Sequence, residues 1–232
     1  MDLVYIYYDN PGMLELQIKC WNAYVGLLRK LPTILLVDDG SPKSPAVDVV
    51  RRCGCQLPIK VFRIKENLPW NVSGARNLGC THARGWIFVS DIDTLLPASQ
   101  AQVLIEEHDL QQQYCYTVQR IRHANLQPIN PGISTVVFHK KQFLRIGGYD
   151  EDYAGHYGKE DRDFLDRLIK IVRTRKILNV AVQNVQRSEI RDASTRGLDR
   201  DSSRNSALFL KKSAAGFPPV GPRLRFTWER VL

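Results

Sequence analysis

The chain of 232 residues contains no run of roughly 18 consecutive apolar residues, the length that a bilayer-spanning helix needs. Its first residues, MDLVYIYYDNP, carry an acid where a secretory signal peptide carries basic residues. The sequence therefore predicts neither a transmembrane segment nor a secretory signal. We expect a soluble, unprocessed cytoplasmic protein whose contact with a membrane, where it has one, is peripheral.

Cysteine is also scarce. The five cysteines cannot all pair with one another, and four of them lie in or beside apolar segments, which favours reduced, buried thiols of a cytoplasmic protein. Cys53 and Cys55 are too closely spaced and too isolated to indicate a zinc site.

The glycine-rich phosphate loops that sequence alone can recognise are missing. Neither GxxxxGK[ST] nor GxGxxG occurs, which argues against ATP hydrolysis and dinucleotide chemistry. The chain also has no internal repeat and no low-complexity tract. Its hydrophobic fraction of 44% is that of an ordinary globular protein, so we expect one compact domain followed by a tail.

Positive charge is concentrated at one end of the chain. Residues 1–163 carry 18 basic and 18 acidic side chains, whereas residues 164–232 carry 15 and 6, so the whole net charge of +9 lies in the last third. A solvated helix face, a cover over a bound diphosphate and a surface for an anionic acceptor or lipid head groups all fit this pattern. The arginines concerned are Arg187, Arg191, Arg196, Arg200 and Arg204.

Short apolar runs alternate with helical patterns in the first part of the chain. The runs predict strands at 2–8, 33–39, 59–64 and 86–91, and the patterns predict helices near 14–28, 44–52 and 72–84. Further on, we expect helices near 99–113, 140–146 and 160–172 and strands near 114–121 and 133–138. Continuous apolar strands that alternate with amphipathic helices indicate an α/β fold, with a parallel sheet that is covered on both faces.

Acidic residues follow the predicted strands. Tyr8-Asp9, Asp38-Asp39 and Asp91-Ile92-Asp93 come at the carboxyl ends of three strands, and in parallel sheets ligands bind at that edge. In IFVSDIDT, alternation along the extended chain directs the carboxylates of Asp91 and Asp93 to the same side. The pair could hold Mg²⁺ or Mn²⁺ together with substrate phosphates, or it could simply form an Asx turn.

Two neighbouring motifs have similar double interpretations. In VDDGS, at residues 37–41, a carboxylate could accept hydrogen bonds from a nucleobase imide or a ribose hydroxyl, but Asp-Gly after a strand is also a turn signal. In NLPWNVSGARNLG, at residues 67–79, Arg76 lies in an early helical turn from which it could reach a phosphate or base. A close-packed helix with an exposed arginine is the alternative.

The segment GGYDEDYAGHYGKEDRDF, residues 147–164, combines acids, aromatic rings and glycines. Glu160 and Asp161 begin a predicted helix, where the helix dipole alone would favour acids. The functional interpretation is that one of these acids removes a proton from an acceptor hydroxyl, while nearby tyrosine rings contact a sugar.

The order of these four motifs resembles that of family 2 glycosyltransferases. The last motif is similar to the WGGED-like segment that follows the DxD motif in β-1,4-galactosyltransferases and polypeptide N-acetylgalactosaminyltransferases. The resemblance covers roughly residues 3–172. It implies the GT-A fold, an α/β architecture with a Rossmann-like, mostly parallel central sheet flanked by helices, followed here by an Arg-rich C-terminal extension.

The resemblance also implies an activity and a site. A sugar would pass from a nucleotide-sugar, with a UDP-sugar as the expected donor, to a hydroxyl of a glycan, lipid-linked or protein acceptor, with inversion. Asp161 would be the general base, Glu160 would bind hydroxyls, and Asp93 with Asp91 would hold Mn²⁺ or Mg²⁺. Nucleotide-sugar binding would fall to Tyr8, Asp39, Asn71, Arg76, Asp91, Ile92 and Gly132. Acceptor binding would fall to Tyr153, His156 and Tyr157.

Three departures from the family pattern affect this assignment. Gly158-Lys159-Glu160-Asp161 stands where the galactosyltransferases have Gly-Gly-Glu-Asp, and Arg162 stands where some members have a third acid, so the resemblance does not identify the acceptor. The last histidine, His156, precedes the acids instead of following them as a metal ligand. We therefore expect weak metal binding that depends on Asp93, phosphates and water.

The resemblance suggests a catalytic domain at 1–185, with a nucleotide-binding part at about 1–95 and an acceptor part at about 96–185. Residues 186–232 would form a basic extension that packs on or covers the site. Under this interpretation nucleic acid is not a partner. The alternatives are a nucleic-acid-binding protein that uses the basic last third, and a sugar-nucleotide binder without catalytic activity.

Overall fold

The computed structural model describes residues 1–130, 132–186, 188–190, 198–221 and 223–232. The strands of this part are β1 (Asp2–Tyr7), β2 (Thr33–Asp38), β3 (Ile59–Ile64), β4 (Trp86–Asp91), β5 (Thr94–Leu95), β6 (Tyr114–Arg122), β7 (Pro128–Ile129), β8 (Val136–His139), β9 (Thr174–Asn184) and β10 (Trp228–Arg230). The α-helices are α1 (Pro11–Asn22), α2 (Ala46–Cys53), α3 (Val72–His82), α4 (Ala98–Gln102), α5 (Lys140–Arg145), α6 (Glu160–Leu168) and α7 (Ser203–Ala214).

All of these strands belong to one mixed sheet. Its order is β10-β3-β2-β1-β4-β8-β6-β9-β5, and β7 pairs with β6. Strands β3, β2, β1 and β4 are mutually parallel, as are β6 and β9, whereas the other neighbours are antiparallel. The predicted α/β fold with parallel strands in its first part is confirmed, and the second half of the sheet adds antiparallel pairs.

The core fills both faces of this sheet, which explains why its central strands read as continuous apolar runs. On β1, Leu3 and Tyr5 belong to the apolar cluster on one face and Val4 to the cluster on the other, all fully buried. Helix α3 approaches the sheet closely, since a Cβ placed on Gly79 would lie 2.5 Å from Val4 Cγ1. This close approach at Gly79 sets how near α3 lies to the sheet.

Local signals explain where the first helix begins. Asn10 caps α1 by accepting a hydrogen bond from the backbone N–H of Met13 at 3.3 Å, and Pro11 takes the first helical position, where its missing N–H has no partner to lose.

Strands β1, β2 and β4 are parallel, so the acids at their carboxyl ends lie at the same edge of the sheet.

Three predicted helices are wrong in length. The helix expected near 14–28 begins at Pro11 and ends at Asn22. The helix expected near 99–113 ends earlier, because α4 passes into a π-helical turn at Val103–Glu107 that His108 closes by bonding to the carbonyl of Val103. The helix expected to reach residue 172 ends at Leu168. Strand β9 was not predicted, although it pairs with both β6 and β5.

The last part of the chain packs against the rest of the fold. Strand β10 adds to the sheet beside β3, and Lys212 in α7 pairs with Asp150 and Asp152. Three of the arginines that sequence singled out, at positions 187, 191 and 196, lie outside the described residues. The Arg-rich extension as a unit, and the domain boundaries at 95 and 185, stay predictions.

All five cysteines are free thiols, and Cys80 and Cys115 are buried. Among the described residues, no helix combines the length and the apolar character needed to cross a membrane.

Candidate active site

A single arginine joins the two acidic motifs. Arg76, in α3, donates hydrogen bonds to Asp91 at the end of β4, at 2.7 Å, and to Asp161 in the first turn of α6. Its side chain is 1% exposed. Although burial opposes its charge, the neighbouring Asp161 and Asp91 raise the pKa of Arg76 well above its usual range. Arg76 therefore brings the acid that ends β4 and the acid that begins α6 close together.

The backbone before α6 determines which acids face the crevice. Gly158 and Lys159 both have positive φ, +86° and +78°, and this left-handed turn leads directly into Glu160. Glu160 and Asp161 line the cavity described below, whereas Asp163 turns inward and accepts a hydrogen bond from Arg167 Nε at 2.8 Å. Glu160 and Asp161 are therefore available to the site, whereas Asp163 belongs to the buried interior.

A second buried side chain fixes the start of this motif. Asn77 accepts a hydrogen bond from the N–H of Tyr149 and donates to the carbonyl of the same residue. Gly148 has a φ of +81°, and a Cβ there would lie 2.7 Å from Asn77 Oδ1 and 2.9 Å from the Phe143 ring. This glycine is required for both reasons, so Arg-Asn at the centre of α3 positions the segment that precedes Asp161.

The two acids of the VDDGS motif have different surroundings. Asp38 accepts hydrogen bonds from the backbone N–H groups of Ser41 and Ala46, each at 2.8 Å, and so holds the turn after β2. Asp39 faces the cavity and accepts a hydrogen bond from Asn71 Nδ2 at 3.1 Å. The turn interpretation therefore describes Asp38, while Asp39 remains available to a ligand.

These side chains surround one cavity of about 790 Å³ at the carboxyl ends of the parallel strands. Its wall includes eleven of the predicted site residues. They are Tyr8, Asp39, Arg76, Asp91, Ile92, Asp93, Gly132, His156, Tyr157 and Asp161, with Glu160 beside the last. A cavity of this volume is large enough for a nucleotide-sized ligand.

Two predicted residues do not face this cavity. Tyr153 is 1% exposed, and its hydroxyl donates to Asp163 at 3.3 Å, so its predicted contact with an acceptor is wrong in this structure. Asn71 is also 1% exposed and lies behind Asp39, to which it donates. It can orient that carboxylate, but it is not part of the cavity wall.

Burial dominates the electrostatics of the acids. It raises the pKa of Asp39 to about 7, against the hydrogen bond from Asn71. Burial, with a smaller contribution from the charge of Asp91, raises the pKa of Asp93 to about 6, while Arg120 opposes the shift. Burial also raises the pKa of Asp161 well above its usual range, although Arg76 counteracts it. Strongly perturbed carboxyl groups in one cleft are typical of functional sites.

Mn²⁺ or Mg²⁺ fits these residues in one particular way. The carboxylates of Asp91 and Asp93 supply the hard oxygen ligands that such ions prefer. No group of three His, Cys, Asp or Glu side chains within the described ranges could enclose an ion without further ligands. The donor set therefore suits an ion that completes its shell with substrate phosphates and water.

Sequence reasoning missed three residues of this region. Arg120 in β6 lines the cavity beside Asp93, Trp70 lies on its wall, and Asn205 in α7 is fully buried beneath the segment that leads to α6. Asn205 Nδ2 donates to the carbonyls of Tyr153, His156 and Gly158 at 2.8–3.0 Å. Only the fold brings these residues to the site.

The C-terminal segment reaches the mouth of the cavity. Arg200 lies over the rings of Trp70 and Tyr157, with its Cζ 5.2 Å and 5.0 Å from the two centroids. Trp70 Nε1 donates to the carbonyl of Asp199 at 2.6 Å. Residues 198–200 thus link the loop before α3 to the loop before α6.

Comparison with known proteins identifies this architecture. Residues 100–195 match the family model described as "Glycosyltransferase like family 2". No curated protein sequence matches the chain.

Solved structures share the fold at low sequence identity. Staphylococcus aureus TarS 1–349 in complex with UDP-GlcNAc has a TM-score of 0.60 at 13% identity, over 81% of this chain and 59% of that one. GalNAc-T7 with UDP, GalNAc and Mn²⁺ gives 0.58 at 15% identity, over 80% and 43%. The catalytic domain of Drosophila β1,4-galactosyltransferase 7 in complex with xylobiose gives 0.57 at 13%, over 89% and 77%.

These similarities establish the fold, which is the GT-A fold, and confirm the resemblance on which the site was predicted. The chain spans about three fifths of the TarS fragment and less than half of GalNAc-T7.

Proposed function

We propose that this GT-A chain is a glycosyltransferase that moves a sugar from a nucleotide-sugar to an acceptor hydroxyl, with a UDP-sugar as donor and with inversion. One observation carries the proposal. Arg76 brings the acid that ends β4 and the acid that begins α6 to the wall of a single cavity. A donor diphosphate and an acceptor hydroxyl could therefore be bound side by side.

Asp39 would select the base of the donor. Its ionised carboxylate accepts hydrogen bonds, so it matches the imide N–H of uracil, which cytosine and adenine lack. Guanine offers a similar ring N–H, and a GDP-sugar is therefore the alternative donor. Asn71 holds the carboxylate from behind, while Tyr8 and Ile92 contribute to the wall of the same cavity.

Asp93 and Asp91 are the residues that would hold Mn²⁺ or Mg²⁺. When bound, such an ion supplies positive charge that stabilises the leaving diphosphate. GalNAc-T7, which shares the fold, was solved with Mn²⁺ and UDP. The backbone at Gly132, on the same wall, would lie beside the donor sugar.

Asp161 would act as general base. Its Oδ1 is held by Arg76, and its other oxygen would accept the proton of the acceptor hydroxyl. The acceptor oxygen then bonds to the anomeric carbon from the face opposite the nucleotide. The bond from that carbon to the phosphate oxygen breaks, and its electron pair leaves with the nucleoside diphosphate. One such displacement inverts the anomeric configuration.

The other residues of this wall would position the acceptor. Glu160 adjoins the base and can accept hydrogen bonds from sugar hydroxyls, and Tyr157 offers a ring face. His156 lines the same part of the cavity. The acceptor would therefore enter between α6 and the loop that carries Trp70.

Thermal-shift measurements with UDP-, GDP- and dTDP-sugars, each with Mn²⁺ or Mg²⁺, test donor binding. A ligand at 100 times its Kd stabilises the native state by about 2.7 kcal/mol, so a true donor should raise the Tm by several degrees. Failure of every nucleotide-sugar to raise the Tm would contradict the proposal. Products of the donor that does bind are then analysed, because release or transfer of the sugar separates an enzyme from a binder without catalytic activity.

The anomeric configuration of the product distinguishes inversion from retention. An inverted product supports Asp161 as base for a single displacement, and a retained one would contradict that step while leaving donor binding intact.

A further inference from the structure

Arg120, in β6, lines the cavity, but neither the sequence motifs nor the proposed mechanism uses it. Its guanidinium packs against the backbone of Gly132, since a Cβ placed on that glycine would lie 2.6 Å from Arg120 Nη1 and 3.2 Å from Cζ. Both residues line the cavity, as does Asp93. The glycine therefore leaves the space that the guanidinium occupies.

Arg120, which is partly buried, differs from the buried Arg76 and Arg167 in that no described residue forms an ion pair with it. Arg76 pairs with two acids, and Arg167 pairs with Asp163 and donates to two carbonyls. Arg120 forms no ion pair with any described residue, and its Nε is buried with no hydrogen-bond partner there. Buried donors of native proteins are nearly always paired, so an unpaired one at a cavity wall indicates a ligand that supplies the acceptor.

The charge of the cavity indicates the chemistry of that ligand. Five carboxylates line it, and Arg76 is already bonded to two of them, so an anion that enters needs another cation. A guanidinium presents a planar fork of donors that matches two oxygens of a phosphate.

We propose that Arg120 binds the diphosphate of the nucleotide donor. This inference rests on the proposed function and adds a protein cation to the site. Arg120 packs against Gly132, which would lie beside the donor sugar, and lines the same cavity as Asp93, so its position fits the diphosphate end of the cavity better than the acceptor end. Arg120 and a divalent ion would together neutralise the charge of the diphosphate. The protein would therefore keep part of its affinity for the nucleotide when the ion is removed.

The test compares a nucleoside diphosphate with its nucleoside, because the ratio of the two affinities isolates the phosphate contribution. Calorimetric titrations with UDP and uridine, repeated with GDP and guanosine, are made in EDTA and in Mn²⁺ on the full chain. Arg120→Gln is compared with Arg122→Gln, which removes the same charge from an exposed position on the same strand.

We expect Arg120→Gln to weaken UDP binding in EDTA about tenfold to a hundredfold, the usual value of hydrogen bonds to a charged group, and to leave uridine binding unchanged. Arg122→Gln should leave both affinities at the wild-type value. Gly132→Ala keeps the charge of Arg120 but crowds its guanidinium. It should therefore lower the ratio of the UDP affinity to the uridine affinity, as Arg120→Gln does.

An unchanged UDP-to-uridine ratio in Arg120→Gln would overturn the inference, and so would an effect confined to the KM of the acceptor. If neither the diphosphates nor the nucleosides bind wild-type protein, the proposed function itself fails. The two failures are therefore distinguishable.

Discussion

Arg76 forms ion pairs with Asp91 and Asp161 at the same time, and through them it connects the end of β4 to the beginning of α6. One side chain thus holds two consecutive elements, α3 and β4, to α6, which lies far along the chain. Asn77, the next residue of α3, fixes the loop before α6 by its bonds to Tyr149. Helix α3 therefore aligns both halves of the candidate site.

Replacement of Arg76 by methionine should destabilise the fold strongly. The change keeps much of the side-chain volume but leaves the largely buried Asp161 without its partner, a loss of about 3–5 kcal/mol, and also removes the partner of the more exposed Asp91. Urea denaturation measures the free energy of unfolding. Arg162→Met removes an exposed i,i+4 pair with Asp166 in α6 and should cost no more than about 0.5 kcal/mol. Equal effects of the two changes would contradict the central role of Arg76.

Donor affinity should depend on pH through Asp39. The ionised carboxylate accepts the imide N–H more strongly than the protonated acid does, and burial raises the pKa of Asp39 to about 7. The Kd of UDP should therefore rise as pH falls from 8 to 6, by no more than about tenfold per pH unit. Calorimetry at several pH values measures it. In Asp39→Asn the affinity should be weaker and nearly independent of pH, and a Kd of wild-type protein that is constant over this range would contradict the assignment.

Asp39 should also make the stability of the fold depend on pH, but in the opposite direction from donor affinity. The folded pKa of Asp39, about 7, exceeds the ordinary value of 3.8, so between these values the native state holds a proton that the unfolded chain has released. The free energy of unfolding should therefore fall as pH rises from 4 to 7, by up to about 4 kcal/mol for this group. Asp39→Asn should remove that part of the slope. Urea denaturation of both proteins at each pH gives the comparison, and identical slopes would refute it.

Asn205 should act on turnover more than on donor binding. Its amide holds three carbonyls of the segment that precedes Asp161, and its replacement by alanine leaves them without that partner. We expect Asn205→Ala to lower the free energy of unfolding by about 1–3 kcal/mol. We also expect it to reduce kcat at least several-fold, with the Kd of UDP within a factor of three. Ser213→Ala, at an exposed position of the same helix, serves as control.

If the Asn205→Ala protein keeps the wild-type kcat, then Asn205 contributes to the stability of the fold but not to turnover, and the prediction is wrong.

The first half of the fold was predictable because its signals are local. Strands β3 and β4 have the predicted bounds, and β1 and β2 end one residue early, since each is an apolar run closed by a turn. Strand β10 has three residues and thus no periodicity to detect. The early end of α4 depends on a π-helical turn, which the apolar spacing of 99–113 did not reveal.

The residues of the site likewise fall into those that local sequence signals located and those that only the fold reveals. Strand ends located Asp39, Asp91 and Asp93, because parallel strands bring their carboxyl ends to one edge. Arg120 and Asn205 could not be located in this way, since their importance comes from which residues the fold places beside them. Tyr153 was misjudged for a related reason, as only the packed structure shows that its ring is buried.

Comparison of donor binding with sugar transfer in Asp161→Asn tests the central claim most directly. The substitution keeps the shape of the side chain but removes the group that would accept the proton. We expect the Kd of the UDP-sugar to stay within about threefold, while turnover falls by a factor of about 10² to 10⁴. Asp166→Asn in the same helix should retain turnover. Near-normal transfer by Asp161→Asn would contradict the claim that the acids at β4 and α6 form one catalytic site.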